Sequence, residues 1–220
     1  RRVHPSGDLN EIPDTSAPKF GLTCLDENVA LVGISIEEGG VGREILIESD
    51  KVTASFIKAA ARDSVFTLRV EKNFIASSPI ILDIDTGDSD CALHLTLDIG
   101  RNCEFELITQ ISGSAPWTGF LRTGTVGNGS ILNDVVIGHT DSGTLLRVDS
   151  ISIGRDAQVK TGTVSSGSDN TKSDLRYKMA DTGGHLNVLG SVLSAHDMHL
   201  DHHIEIHHEA PETFSRLNWH

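Results

Sequence analysis

Eight of the 11 histidines in this 220-residue chain fall within its last 36 residues, most of them in HDMHLDHHIEIHHEAP, His196 to Pro211. Imidazole nitrogens and carboxylate oxygens are ligands for zinc, iron or copper, and residues two apart on a strand share a face. With Met198 to Glu209 extended, His199, Asp201, His203, Glu205, His207 and Glu209 line one face. Leu200, His202, Ile204, Ile206 and His208 line the other. The pattern nominates His199, Asp201, His203, Glu205 and His207 as metal ligands, to be completed from a neighbouring segment. The competing reading is a solvated polar face, with His202 and His208 as edge or hydrogen-bonded histidines.

Other chemistry is sparse. Cys24, Cys91 and Cys103 are an odd number without CxxC spacing, which argues against a disulfide framework and a cysteine knuckle and for small buried residues. The carboxylate pairs Asp83 and Asp85, and Asp88 and Asp90, suit a glycosidase or lyase cleft in residue type, but acidic loop residues ordinarily serve solvation. No GxxxxGK[ST], HExxH, GxSxG or GxGxxG occurs in the required context, so ATPase and Rossmann chemistry are excluded.

The elements that must position these residues announce themselves as a repeat. IGRNC ends at Cys103, VGNGS at Ser130, IGRDA at Ala157 and ADTGG at Gly184, each 27 residues after the last. The final position is always small, and the one before it (Asn102, Gly129, Asp156, Gly183) is a turn former, as a tight corner requires. Two residues on, Phe105, Leu132, Val159 and Leu186 are all apolar, whereas Glu104, Ile131, Gln158 and His185 are mostly polar. One face after the corner points inward and the other outward. A fixed corner every 27 residues predicts a parallel β-solenoid with rungs about 4.8 Å apart, so that five rungs rise roughly 20–25 Å. A β-sandwich of meandering hairpins is the competing architecture. The same spacing stacks Arg122, Asp149, Arg176 and His203, expected as a charge ladder on an exposed face.

Before the repeat, the first twenty residues read as an arm or linker. Alternation from Asn28 through Ala30, Val32 and Ile34, a turn at 37–40 and a resumption at Glu44 to Glu48 suggest a strand pair. Val52, Phe56 and Ala59, behind Ser49 and Asp50 as capping candidates, predict a short helix from Lys51 to Arg62. Short apolar runs follow at Val65 to Val70, Ile80 to Ile84 and Leu93 to Ile99. The chain thus divides into an N-terminal arm with a small α/β extension over 1–63 and an all-β solenoid core over 64–220.

Composition bounds the partners. Eighteen basic against 31 acidic residues give a formal charge of -13, a field that repels nucleic acid and acidic membrane surfaces. No apolar run approaches the roughly 18 residues of a spanning helix, and Arg1 to Asp14 lacks the core of a secretory signal, so a cytoplasmic location is expected.

LDHHIEIHHEAPETFSRLNWH, with GGHLNVLGSVLS before it and CALHLTLDIGRNCEFELIT upstream, resembles the SufB/SufD family of iron-sulfur cluster assembly proteins. The specific part is D-H-x-x-x-I/V-x-H-x-A-P-x-T-x-S, here Asp201, His202, Ile206, His208, Ala210, Pro211, Thr213 and Ser215. The likeness covers roughly Ser64 to His220 and implies a right-handed parallel β-helix, in agreement with the 27-residue period. It further implies a non-enzymatic scaffold subunit that pairs with SufB/SufD-type subunits as homodimer or heterodimer. Such a subunit associates with a SufC-type ATPase, and a transient iron-sulfur cluster is built in the full assembly. Family members continue past the point where Trp219 and His220 end this sequence, and no functional cysteine, glutamate or histidine transfers to a position here. A last apolar rung predicts association of copies near the C-terminal strands. The alternatives from other classes are a carbohydrate-active β-helix enzyme, disfavoured by two Trp and one Tyr, and a histidine-rich metal-binding module.

Overall fold

The computed structural model describes residues 12, 14–28, 30–40, 51–195 and 197–220. Alternating apolar residues and left-handed corners give fourteen strands and one helix among them. The first elements are β1 (Lys19–Cys24), β2 (Ile34–Glu38), α1 (Lys51–Ala61), β3 (Val65–Val70) and β4 (Ile80–Asp85). Then follow β5 (Cys91–Ile99), β6 (Glu104–Gly113), β7 (Trp117–Val126), β8 (Ile131–Thr140) and β9 (Thr144–Ile153). The last are β10 (Gln158–Ser166), β11 (Asn170–Met179), β12 (His185–Val192), β13 (His199–His208) and β14 (Phe214–Trp219).

The strands form two seven-stranded sheets, sheet I in the order β1-β4-β6-β8-β10-β12-β14 and sheet II in the order β13-β11-β9-β7-β5-β3-β2. Every strand from β3 onward pairs in parallel with the strand one coil away, which is the expected β-solenoid and not a meandering sandwich. Only β1 on β4 and β2 on β3 are antiparallel, and they cover the first edge of each sheet.

The corners explain the repeat. Asn102, Gly129, Asp156 and Gly183 all lie in the left-handed region, at φ 55°, 67°, 54° and 73°, where a chain turns tightly and Asn, Asp and Gly are tolerated best. Beyond them Phe105 pairs with Leu132, Leu132 with Val159 and Val159 with Leu186, one buried file through the core. Glu104, Ile131, Gln158 and His185 are exposed beside it, as the alternation requires. The file sits in an apolar core reaching from Cys24 and Ile34 to Leu186 and Val188.

Three expectations are corrected. The helix runs where predicted, but its buried face is Ala54, Ile57, Ala60 and Ala61, packed on Ala92, Trp117, Leu121, Leu146 and Val148 of sheet II. Val52 and Ala59 are exposed. Small side chains let the helix lie close to a flat sheet, whereas larger ones at those positions would hold it off. Within the first twenty residues the chain is not merely an arm: Ser16 bridges Cys91, and β1 begins at Lys19. The anticipated charge ladder also fails. Arg122 does pair with Asp149, but Asp149 stands opposite Leu175, Arg176 opposite Glu205 and His203 opposite Asp174. The cause is unequal coil length in sheet II, since Thr144 pairs with Asn170 after 26 residues and Asn170 with His199 after 29.

Of the predicted strand pair, Ile34 opens β2, whose partner is β3; the Glu44 to Glu48 half and the capping candidates Ser49 and Asp50 lie outside the described residues. Among the described residues no helix is long and apolar enough to cross a membrane.

Candidate functional site

The histidine-rich segment is β13, and its faces divide as alternation demands. His199, Asp201 and His203 are exposed, with Glu205 and His207 half-buried farther along the same outer face. Ile204 and Ile206 pack against the core on the other side.

The neighbouring strand decides what the outer face can do. Arg176 of β11 grips Asp174 with its Nε 2.5 Å from Oδ1 and its Nη2 3.0 Å from Oδ2, and it also binds Glu205. His203 Nδ1 lies 3.4 Å from Arg176 Nη2 and 3.5 Å from Asp174 Oδ2, while His207 Nε2 lies 2.7 Å from Glu205 Oε1. His203, Glu205 and His207 are thus brought together, but around a guanidinium; His199 and Asp201 stand earlier on the strand. A fixed cation at the centre repels a metal ion and engages the carboxylates that would bind it. Among the described residues no group of three or more His, Cys, Asp or Glu is placed to hold a metal ion.

The cysteines are all buried and unpaired. The Cys103 thiol donates to the carbonyls of Glu71 and Gly100 at 3.2 and 3.3 Å, and burial, with Asp85 adding to it, pushes the Cys91 thiol up to about 12. The raised pKa keeps Cys91 from serving as a thiolate. Asp83 and Asp85 are exposed on the outer face of β4, and Asp85 accepts the Gly87 amide proton as part of a turn.

Inside the solenoid lies a polar group that corrects a second part of the charge-ladder expectation: Arg122 and Asp149, expected on an exposed face, are buried in the interior. Arg122, fully buried, donates from Nη1 to Asp134 at 2.8 Å and from Nη2 to Asp149 at 2.6 Å. Arg147 donates to both oxygens of Asp149, at 3.0 and 2.6 Å, and to Thr163 at 3.3 Å. Thr161 donates to Asp134 at 3.3 Å and sits 3.4 Å from the Tyr177 hydroxyl. Two cations and two anions balance, and Arg122 to Asp134, Arg147 to Thr163 and Tyr177 to Thr161 each tie sheet II to sheet I. Burial opposes the Arg122 charge, but Asp134 and Asp149 outweigh it and raise the pKa. Burial likewise opposes ionisation of Asp149, and the two arginines outweigh it and lower its pKa. Period-two alternation puts Arg147 and Asp149 on one face, and the 27-residue spacing adds Arg122 to it; that this face is the interior needed the coil to close.

His202 lies on the same inner side, its ring 5.2 Å from that of Trp219. Neither ring nitrogen has a partner, and burial, aided by the Arg147 charge, lowers its pKa to about 4.

The motif that carries the family resemblance has a local structural role. Thr213 donates its proton to the Ala210 carbonyl at 3.1 Å and so accepts from His208 Nδ1 at 2.7 Å; the Ser215 hydroxyl then donates to Nε2 at 2.9 Å. His208, Thr213 and Ser215 clamp the corner between β13 and β14, which accounts for their spacing.

No curated protein and no solved structure matches the chain. The family described as SUF system FeS cluster assembly, SufBD core domain, matches residues 83–220, from β4 to the last strand and over more than half the sequence. With the stacked coils and the His208 corner lying inside that span, the chain belongs to the SufBD core domain family of iron-sulfur cluster assembly.

Proposed function

We propose that this chain is the β-helix core of a non-enzymatic scaffold subunit that works with a SufC-type ATPase and other SufB/SufD-type subunits to build iron-sulfur clusters. The observation that carries this reading is the family match over residues 83–220, laid on a solenoid whose rungs it spans. The absence of a P-loop motif from the sequence is in keeping with nucleotide chemistry residing in the partner. On this reading the cluster is cargo, assembled with groups contributed by the whole complex.

Co-expression of the full-length protein with a SufC-type ATPase, followed by affinity purification and anaerobic reconstitution with iron and sulfide, tests the proposal. Retention of the ATPase together with the visible absorption of an iron-sulfur cluster is expected. Loss of both from the full-length protein would overturn it.

A further inference from the structure

We propose that Asn128 is a site of spontaneous deamidation gated by the coil, its side-chain nitrogen leaving as ammonia only when its own corner lifts off Arg155. The proposal rests on one corner of the solenoid and is independent of the cluster-assembly reading.

Of the asparagines in the sequence, Asn128 alone is followed by glycine. A successor without a Cβ leaves its amide nitrogen least hindered and lets the chain reach conformations that bring that nitrogen to the asparagine Cγ. Asn128 and Gly129 are both exposed, at the corner between β7 and β8. In the reaction the Gly129 nitrogen gives up its proton and bonds to Asn128 Cγ, the Cγ–Nδ2 bond breaks, and ammonia leaves. Water then opens the resulting succinimide at one of its two carbonyls, giving aspartate or isoaspartate. The step consumes only water, which is why asparagine ranks among the thermolabile residues.

The coil holds both reacting groups through one neighbour. The Gly129 amide donates to the Arg155 carbonyl at 2.8 Å, and Asn128 Oδ1 accepts the Arg155 amide proton at 3.1 Å. Gly129 sits at φ 67°, in a turn closed by the Ser130 amide donating to the Gly127 carbonyl at 3.3 Å. Attack therefore waits for a local opening that breaks both bonds to Arg155 while the rungs on either side stay paired. Two hydrogen bonds of ordinary net strength slow the step about tenfold to a hundredfold relative to the unfolded chain. The same corner sorts the products. The 27-residue spacing places Arg101 one coil before Asn128 and Arg155 one coil after it, and Arg155 binds Asp181 at 3.4 Å. A carboxylate at 128 puts an anion between two cations and keeps the acceptor for the Arg155 amide, now charge-assisted. Isoaspartate instead lengthens the main chain by one carbon and carries the Gly129 amide away from its partner.

The test is peptide mapping by mass spectrometry of the full chain held in mildly alkaline buffer, folded and in urea. An isoaspartyl methyltransferase scores isoaspartate, and thermal melts compare the separated products. Conversion at Asn128 is expected ahead of that at every other asparagine, and about tenfold to a hundredfold slower in the folded chain than in urea. Asn128→Asp should melt at or above wild type, and the isoaspartate fraction below it. Another asparagine converting first in the folded chain, equal rates in the two states, or Asn128→Asp melting below wild type would overturn the proposal. So would a folded chain still intact at 128 after roughly a thousand half-lives of the unfolded one, a hold far stronger than two hydrogen bonds. The rate comparison needs no variant, so it decides even where Asn128→Asp fails to fold.

Discussion

A guanidinium with no exposed surface survives in this fold because it is never alone. Arg122 meets Asp134 on one side and Asp149 on the other, and Asp149 is shared with Arg147. Such a group need not stabilise the fold relative to a well-packed apolar core, but removing one member strands the others in a medium that cannot solvate them. Arg122→Met is therefore expected to lower unfolding free energy by about 3–5 kcal/mol, measured by urea denaturation. A loss below about 1 kcal/mol would mean that water reaches the network and the interior is wetter than its geometry indicates. The outer cluster of Arg176, Asp174, Glu205, His203 and His207 obeys the same electrostatics in a less buried place. The metal-ligand expectation for β13 was built from one strand, whereas the deciding charge comes from β11.

At the scale of elements, α1 is the one helix among the described residues, and its attachment is local. Ile57 is fully buried between the helix and sheet II, and Phe56 meets Trp117 edge-on at 5.6 Å. An aspartate at 57 would place a charge in that contact without touching the interior of the coil, so α1 should open separately from the strands. Ile57→Asp is expected to raise hydrogen exchange of the Val52 to Ala61 amides and shift Trp117 emission to the red while the strand signal in circular dichroism persists. Unchanged protection of those amides would show that the helix is held by something other than this contact. The helix was legible from its apolar spacing, but its buried face was not. Alanines outrank Val52 there because proximity to a flat sheet, not side-chain hydrophobicity, decides which face fits.

Across the whole molecule, stability should fall with acid in two stages. Burial, with the Lys58 charge of α1 adding to it, lowers His94 from 6.5 to about 4, where its ring lies 2.8 Å from the Thr123 hydroxyl; His202 is lowered to about 4 as well. A histidine depressed in the fold takes up its proton first in the unfolded chain, so unfolding gains ground as pH drops from 6.5 through about 4. Asp149, also depressed, contributes stability above 3.8 that disappears as pH falls further, through its lower folded value. Thermal melts from pH 7 to pH 3 should show a steady decline in the histidine window and a steeper one below it. His94→Gln with His202→Phe, which keep a donor toward Thr123 and a ring against Trp219, should flatten the first stage and leave the second. A slope unaltered by the pair would assign the acid sensitivity to other groups.

The residue order alone determined the coil: turn formers at Asn102, Gly129, Asp156 and Gly183 act through local backbone conformation, and the apolar residues that follow each corner recur every 27 residues. It also determined that the chain lacks the common nucleotide motifs and that β13 alternates as drawn. Only tertiary structure decided which faces are interior, that coils of 26 and 29 residues shift the register of sheet II, and that Arg176 occupies the middle of the histidine face. The physical reason is one of range. Backbone turns and period-two alternation are written within a few residues, whereas solvation and charge pairing depend on neighbours a full coil away, whose register a single residue gained or lost at a corner is enough to change.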